Sequence, residues 1–267
     1  MDAGGNAAAR EAVAVLPAVL RRARERPDSD LLAAAAELAE VTGWLLCDAN
    51  RHPEADRANR VALALSRRCG HRSMELFVLH NMSLQATYLR QPERAVALVR
   101  PVLDDARLTP RLHSMFRLRL ARGLAQLGRR REAFHTLDHA RSLLLDGVGH
   151  RDPAWAWWVS ERGMYSATAA MHGTLGEWAA ALDPLRQALR MAPPNAHRDR
   201  FLYLCTLLHA QIEVGDRREA RETAEALAVL RGRVGSARPL ARLMATVERT
   251  TGRMREAVEP LHAGQLY

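Results

Sequence analysis

A short polar turn that leads into an alanine recurs six times along the chain. The six copies occupy residues 50–55, 90–95, 128–133, 176–181, 215–220 and 252–257. Their final alanines follow one another at intervals of 37 to 48 residues. A small residue that recurs at such an interval after a polar turn is typical of a helical-repeat array. The chain is therefore expected to fold as stacked helices rather than around one central core.

The composition supports a fold made of helices alone. Apolar residues make up 48% of the 267 residues but aromatic residues only 5%, so alanine and leucine, which are strong helix formers, dominate. The sustained alternation of apolar and polar residues that marks strands is absent. We predict an all-α solenoid of about six antiparallel helix pairs over residues 31–267, preceded by an N-terminal helix or cap over residues 1–30.

A second set of positions has the same register. The residues twelve positions before the alanines are Gly43, Ser83, Ala121, Ala169, Leu208 and Ala245. Five of these six are small, as is required where the two helices of a pair cross closely. This arrangement resembles a long and degenerate tetratricopeptide repeat, although the Trp and Tyr positions of that repeat are mostly not kept. The resemblance implies a right-handed solenoid with a concave face lined by the first helix of each pair.

Breaks in the pattern predict where the helices begin and end. We expect helices at about 6–25, 31–48, 53–68, 73–89, 92–103, 154–171, 177–191, 197–214, 217–231, 239–250 and 255–263. Another helix begins after Thr109-Pro110, and its partner ends near Asp146 before the longest break, at residues 147–153. Pro17 is expected to kink or interrupt the first helix.

Charge and cysteine content limit the possible partners. The formal charge is +9, but all 39 basic residues are Arg and they are interspersed with 30 acidic residues. This distribution disfavours direct nucleic-acid binding. Three cysteines without a pairing or metal spacing indicate a reducing compartment. The sequence contains neither a membrane span nor a secretion signal, so we predict a cytoplasmic protein. We expect no cofactor and no metal. A homodimer is left open.

Several segments resemble a narrower family. Residues 40–51, 79–86, 153–161 and 198–216 are similar to repeats of the sensor region in actinobacterial helix-turn-helix regulators of the XRE type. The resemblance implies a regulatory protein that senses a ligand. About 30 residues precede the first repeat, which are too few for the DNA-binding domain of that family. Arg162 also lies where the family tends to carry acidic residues, so the family's ligand is not carried over.

The concave face of such a solenoid is the expected binding site. Counting back from the alanines predicts that it is lined by Trp44, Asp48, Phe77, His80, Asn81, Tyr88, Met115, Arg119, Arg122, Trp155, Arg162, Cys205 and His209. Aromatic rings and guanidinium groups suit an anionic amphiphile or a peptide. Alternatively, Arg119, Arg122 and Arg162 pair with Glu37, Glu40 and Glu213 across the groove. The sequence favours neither interpretation over the other.

Three local patterns have a structural and a chemical interpretation. Trp155, Trp158 and Arg162 fall on one side of the expected helix, either as packing residues under the long loop, which we favour, or as an aromatic wall. His135 and His139 have a spacing that can chelate a metal, but no third ligand is evident and a solvated face is the better interpretation. Cys205 and His209 have the same spacing, which is common by chance.

We predict a ligand- or partner-binding regulatory protein that recognises a small molecule, a peptide or a protein in this groove. The alternative is an enzyme of specialised metabolism that uses the groove as its active site. Its candidate acid-base groups would be His80, His209, Glu161, Tyr165 and Tyr203. No established catalytic motif supports that alternative.

Overall fold

A computed structural model of the chain describes residues 5–105, 107–145 and 149–261. Over these residues it contains helices and no strands. The α-helices are α1 Gly5–Glu25, α2 Ser29–Asp48, α3 His52–Arg68, α4 Arg72–Tyr88, α5 Pro92–Leu103, α6 Pro110–Gln126, α7 Arg130–Leu145, α8 Glu161–Thr174, α9 Trp178–Met191, α10 His197–Val214, α11 Arg217–Arg231 and α12 Ala237–Arg249. Two 3₁₀-helices, Ala154–Trp158 and Gly252–Leu261, complete the described chain. The predicted all-α class is confirmed.

The chain divides into two compact units, Met1–Val159 and Ser160–Tyr267. In the first unit, α1 packs against α2, and each helix from α2 to α6 packs against the next one. In the second unit, α8, α9, α10 and α11 pack in the same sequential way, and the second 3₁₀-helix packs against α11. Helix α1 lies within the first unit.

Each of the six recurring turns contains one residue with left-handed backbone. Five residues before each alanine the backbone is left-handed, at Asn50, Arg90, Gly128, Gly176, Gly215 and Gly252. In the first five turns the following backbone N–H reaches back five residues, as from Arg51 to the carbonyl of Leu46 over 2.8 Å. This is the closure that typically ends a helix at a left-handed residue. All six alanines are fully buried.

The small residues twelve positions earlier lie against the following helix. Ser83 donates a hydrogen bond of 3.2 Å from Oγ to the carbonyl of Ala95. A Cβ atom added to Gly43 would lie 2.3 Å from Oδ1 of Asn59 in α3. Leu208, the large exception, is completely buried in the core of the second unit. The sequence pattern therefore identified positions where neighbouring helices approach closely.

Pro17 lies inside α1 without interrupting it. Two observed elements differ from the predictions. The helix expected over 154–171 is divided, because a 3₁₀-helix ends at Trp158 and Ser160 then caps α8 by accepting from the N–H of Gly163. The last predicted helix is a 3₁₀-helix. The expected end at Asp146, residues 147–148 of the long break and residues 262–263 lie outside the described residues.

Candidate functional site

The centre of the first unit is α4, whose residues 78–87 are all buried. The reason is that α4 packs against α2, α3, α5 and α6 at once, which leaves no exposed residue between positions 78 and 87. Several polar side chains are nevertheless buried on it, namely His80, Asn81, Ser83, Gln85 and Thr87. Buried polar groups cost free energy unless they find hydrogen-bond partners. The partners of His80 and Asn81 define the candidate site.

A chain of three hydrogen bonds connects α6, α4 and α2, and we call it the polar chain. Nε of Arg119 lies 2.7 Å from Nε2 of His80, and Nδ1 of His80 lies 3.1 Å from Oδ1 of Asn81. Nδ2 of Asn81 lies 2.5 Å from Oε1 of Glu40. Since a guanidinium can only donate, Nε2 of His80 must accept, and its proton is therefore on Nδ1. The chain thus donates in one direction, from Arg119 to Glu40.

The electrostatics of the polar chain follow from its burial. Glu40 is only 3% exposed, and this burial raises the pKa of Glu40 to about 7, although the hydrogen bond from Asn81 opposes the rise. Burial and then the neighbouring Arg119 guanidinium lower the pKa of His80 well below its usual value. The neutral His80 imidazole and the Asn81 amide consequently lie between the Arg119 guanidinium and the Glu40 carboxyl group.

The polar chain matches neither interpretation of the predicted groove arginines, as ligand-binding groups or as direct partners of acidic residues. Arg119 and Glu40 are connected, as the pairing interpretation required, yet only through His80 and Asn81. Arg122 lies 6.0 Å from the centre of the Tyr88 ring, a cation–π geometry. Trp44 is half-buried and Asp48 is buried on α2.

Aromatic residues of the first 3₁₀-helix cover the polar chain. The Trp158 ring lies 4.9 Å from the His80 ring, and the Trp155 ring stacks on Phe77 at 4.7 Å and 18°. Nε1 of Trp155 donates to Oγ of Ser73 over 2.9 Å. These contacts support the packing interpretation of the tryptophans, although they pack on α4 as well as on the core beside α6. The side chain of Trp157 lies outside the described residues.

Arg111 and Asp152, which the sequence analysis did not single out, hold this covering segment in place. Arg111 donates from Nη1 to the carbonyl of Val159 and, over 3.3 Å, to that of Ala156. Its Nε lies 3.5 Å from Oδ2 of Asp152, and both side chains are almost fully buried. Thr109 also donates to Asp152. Because these bonds satisfy carbonyls at the end of the 3₁₀-helix, the segment does not continue as an α-helix.

The candidates of the second unit lie on α8 and α10. Arg162 pairs with Asp199 at 3.2 Å. The ring of His209 lies edge-on to Trp178 at 4.6 Å, and its Nε2 is 4.0 Å from Glu213. Glu161 is exposed at the start of α8. Tyr165 and Tyr203 are partly buried, on α8 and α10 respectively.

Two predicted lining residues belong to the core instead. Met115 and Cys205 are both completely buried within hydrophobic clusters. Burial also raises the pKa of the Cys205 thiol to about 12, and the sulfur lies 4.0 Å from the carbonyl of Pro239. A thiol in this state is a poor nucleophile, because the thiolate is the reactive form.

The second unit contains a cavity of about 620 Å³ that the sequence did not predict. It is lined by Arg231, Leu243, Met244, Val247, Glu248, Arg255, Glu256, Glu259 and Leu261. Among the described residues, no group of three or more His, Cys, Asp or Glu side chains is arranged to hold a metal ion. No described helix combines the length and the apolar character needed to cross a membrane.

No protein-family model matches the chain, and no curated protein is significantly similar to it. The fold of the described residues defines an all-α protein. Within its first unit, three helices share a buried polar chain that is covered by tryptophans.

Proposed function

We propose that this protein is a tetratricopeptide-like helical-repeat receptor with a regulatory role. On this proposal the face formed by α2, α4 and α6 recognises a small molecule, a peptide or a protein partner. The ligand shifts the balance between alternative arrangements of the stacked helices, because each repeat contacts mainly its neighbours. The polar chain is the observation that carries the proposal.

Contacts at the repeat interval support the stacking of helix pairs. Asn81 bonds to Glu40, 41 residues away, and Arg119 bonds to His80, 39 residues away. In the second unit, Arg217 pairs with Glu256, 39 residues away. Bonds between residues one repeat apart are expected when equivalent positions of successive repeats lie side by side.

The free-energy cost of the polar chain supports a binding role for this face. Burying an ionisable carboxyl group, an imidazole and a guanidinium is less favourable than filling the same space with apolar side chains. Half-buried Trp44, Phe77 and Tyr88 lie on the same helices, as does Arg122. Aromatic surface beside a few fixed polar groups is the usual composition of a small-molecule or peptide site. An aromatic or aliphatic ligand with one anionic group fits this composition.

The enzymatic alternative gains no support from the geometry of its candidates. His80 uses its only acceptor nitrogen to bond Arg119, so it has no lone pair for a substrate proton. Burial lowers the pKa of His209, which lies edge-on to Trp178. We therefore favour a receptor over an enzyme.

Native mass spectrometry of the purified protein, followed by thermal-shift measurements with peptides and anionic amphiphiles, tests the receptor proposal. We expect at least one compound to raise the melting temperature. Trp44→Ala and Arg122→Ala should abolish that shift, whereas Arg60→Ala on α3 should leave it unchanged. The proposal fails if the purified protein retains no bound compound, if no tested compound binds, and if the Trp44 and Arg122 variants behave like the Arg60 variant in cells.

Direct DNA binding is the competing partner suggested by the net charge of +9. Binding through phosphate contacts would weaken steeply with salt. We expect no retarded duplex in a gel-shift assay at 150 mM salt. A stable complex at that concentration would replace the small-ligand proposal with a nucleic-acid one.

A further inference from the structure

The histidine pair on α7 has neighbours that its sequence spacing did not reveal. Oγ of Ser114 in α6 donates to the carbonyl of Ala140 in α7 over 2.7 Å, which sets the register of these two helices. That register places His113 and Arg117 of α6 beside His139 of α7, and His135 lies one turn before His139. Both helices contribute residues four apart, so all four side chains lie on facing stripes.

The side chains of this cluster repel one another electrostatically. Partial burial, the Arg117 guanidinium and His139 together lower the pKa of His113. Burial, Arg117 and His135 likewise lower the pKa of His139. Bringing several basic groups together is unfavourable, although Asp105 partly offsets their effect on His113, and an anion placed among them would relieve the remaining repulsion.

Two polar atoms of the cluster also lack a hydrogen-bond partner among the residues that the structure describes. They are Nδ1 of His113 and Nε of Arg117, and both are buried. A buried polar atom without a partner costs about 1–3 kcal/mol. His135 and His139, by contrast, are exposed and form the rim.

Two acidic groups close to the cluster are engaged elsewhere. Asp105 faces His113 but bonds both Arg72 and Arg107. Asp138 of α7 is 3.7 Å from Arg141, and its side chain is 71% exposed. Neither of these two carboxylates is therefore a dedicated counter-ion for the cluster.

An anion fits this cluster better than a metal ion does. A guanidinium beside the imidazoles disfavours a cation, and the described residues contain no group of three ligands arranged to hold a metal ion. Guanidinium and imidazolium groups are the usual partners of phosphoryl oxygens. We propose that His113, Arg117, His135 and His139 form a binding site for a phosphoryl group, either of a small molecule or of a phosphorylated polypeptide.

This site is independent of the proposed receptor face. Arg117 and Arg119 are two residues apart on α6 and therefore project to nearly opposite sides of that helix. Loss of one site leaves the other testable.

The test is a titration of the full-length protein at pH 6.5, followed through the imidazole C–H signals in NMR spectra. The probes are inorganic phosphate and a phosphoserine peptide, with sodium chloride at matched ionic strength as the reference. We expect phosphate to shift the signals of the three cluster histidines and to raise the pKa of His113 and His139. Arg117→Gln and the surface variant His139→Gln should each weaken binding about tenfold or more.

The matched controls are Arg60→Gln on α3 and His150→Gln in the loop before the first 3₁₀-helix, both of which should bind phosphate like the unmodified protein. Binding of both probes, or of inorganic phosphate alone, assigns the site to a phosphoryl group as such. Binding of the peptide alone assigns it to a phosphorylated polypeptide. The proposal is overturned if phosphate acts no differently from chloride, if Arg117→Gln and His139→Gln retain full affinity, or if Zn²⁺ rather than phosphate shifts the three histidines.

Discussion

Among single residues, the two non-glycine residues with left-handed backbone at the repeat turns are Asn50 and Arg90, with φ of 62° and 56°. The other four repeat turns use glycine at this position. Asn tolerates this conformation better than most residues, whereas a long side chain such as that of Arg is strained in it. Arg90 is therefore a position where the local backbone and the residue type disagree.

Replacing Arg90 with glycine should relieve this strain. We expect Arg90→Gly to raise the free energy of unfolding by about 0.5–1 kcal/mol, because the strain removed exceeds the added chain entropy of glycine. Arg21→Gly, in the exposed interior of α1, should instead lower it by about 1 kcal/mol. Urea denaturation measures both changes. A loss of stability in Arg90→Gly would show that the turn does not hold this residue under strain.

The raised pKa of Glu40 predicts a pH-dependent stability. Because the pKa is about 7 in the folded chain and 4.5 is ordinary, ionisation of Glu40 opposes folding. The stabilising contribution of protonated Glu40 to the free energy of unfolding is complete below pH 4.5. It declines as the pH rises and is lost above pH 7. A shift of this size corresponds to roughly 3 kcal/mol.

Glu40→Gln should remove that decline while keeping an acceptor for Asn81. We expect the stability difference between pH 5 and pH 8, measured by urea denaturation, to be smaller in this variant by up to about 3 kcal/mol. Glu93→Gln, at an exposed position on α5, serves as the control and should keep the original slope. Identical pH profiles for the Glu40 variant and the unmodified protein would contradict a raised pKa.

Among the helices, close approaches between successive elements depend on individual small residues. A Cβ atom on Gly173 in α8 would lie 2.5 Å from the Trp178 ring in α9. Gly232, which ends α11 with φ of −71°, has nothing within 4 Å of such an atom. The two glycines therefore differ in packing rather than in the need for a left-handed backbone.

The same substitution should have opposite effects at these two positions. We expect Gly173→Ala to lower the free energy of unfolding by about 1–3 kcal/mol, since the ring must move. Gly232→Ala should raise it by about 0.4–1 kcal/mol, because alanine reduces the entropy of the unfolded chain. Thermal denaturation of both variants checks the prediction. Equal effects at the two sites would show that the contact between α8 and Trp178 is not tight.

The segment that covers the polar chain depends on Arg111. Replacing it with glutamine removes the donors to Ala156 and Val159 and leaves the buried Asp152 without its cation. We expect Arg111→Gln to lower the free energy of unfolding by about 3–5 kcal/mol and to make residues 149–159 sensitive to proteases. Arg107→Gln, whose side chain is 85% exposed, should change stability by less than about 0.5 kcal/mol. A protease-resistant Arg111 variant would contradict this role.

For the molecule as a whole, each of the two units has its own hydrophobic core. One cluster in the first unit surrounds Phe116, and one in the second surrounds Phe201. A substitution that weakens one core is expected to lower the stability of that unit's own helices first.

Hydrogen exchange followed by mass spectrometry can detect this division. We expect Arg111→Gln to increase exchange mainly in Met1–Val159 and Gly173→Ala mainly in Ser160–Tyr267. A uniform increase over both ranges in both variants would indicate a single cooperative structure.

Much of the helical architecture was predictable because its determinants are local. The bounds of α10 and α11 agree with the prediction residue for residue, since a polar turn with a left-handed glycine separates them. The six buried alanines were likewise identified from their spacing. In contrast, the division between Trp158 and Ser160 was missed, because it depends on Arg111, more than 40 residues away.

The sequence by itself determined the helical class, the repeating turns and the positions where small residues allow helices to approach. Each of these depends on backbone conformation or side-chain size within a few residues. Only the tertiary structure decided that Glu40, Asn81, His80 and Arg119 form one chain, and that His113 and Arg117 adjoin the histidines of α7. Such contacts depend on how helices pack, and a side chain's pKa and hydrogen-bond partners follow from that packing rather than from its own neighbours in sequence.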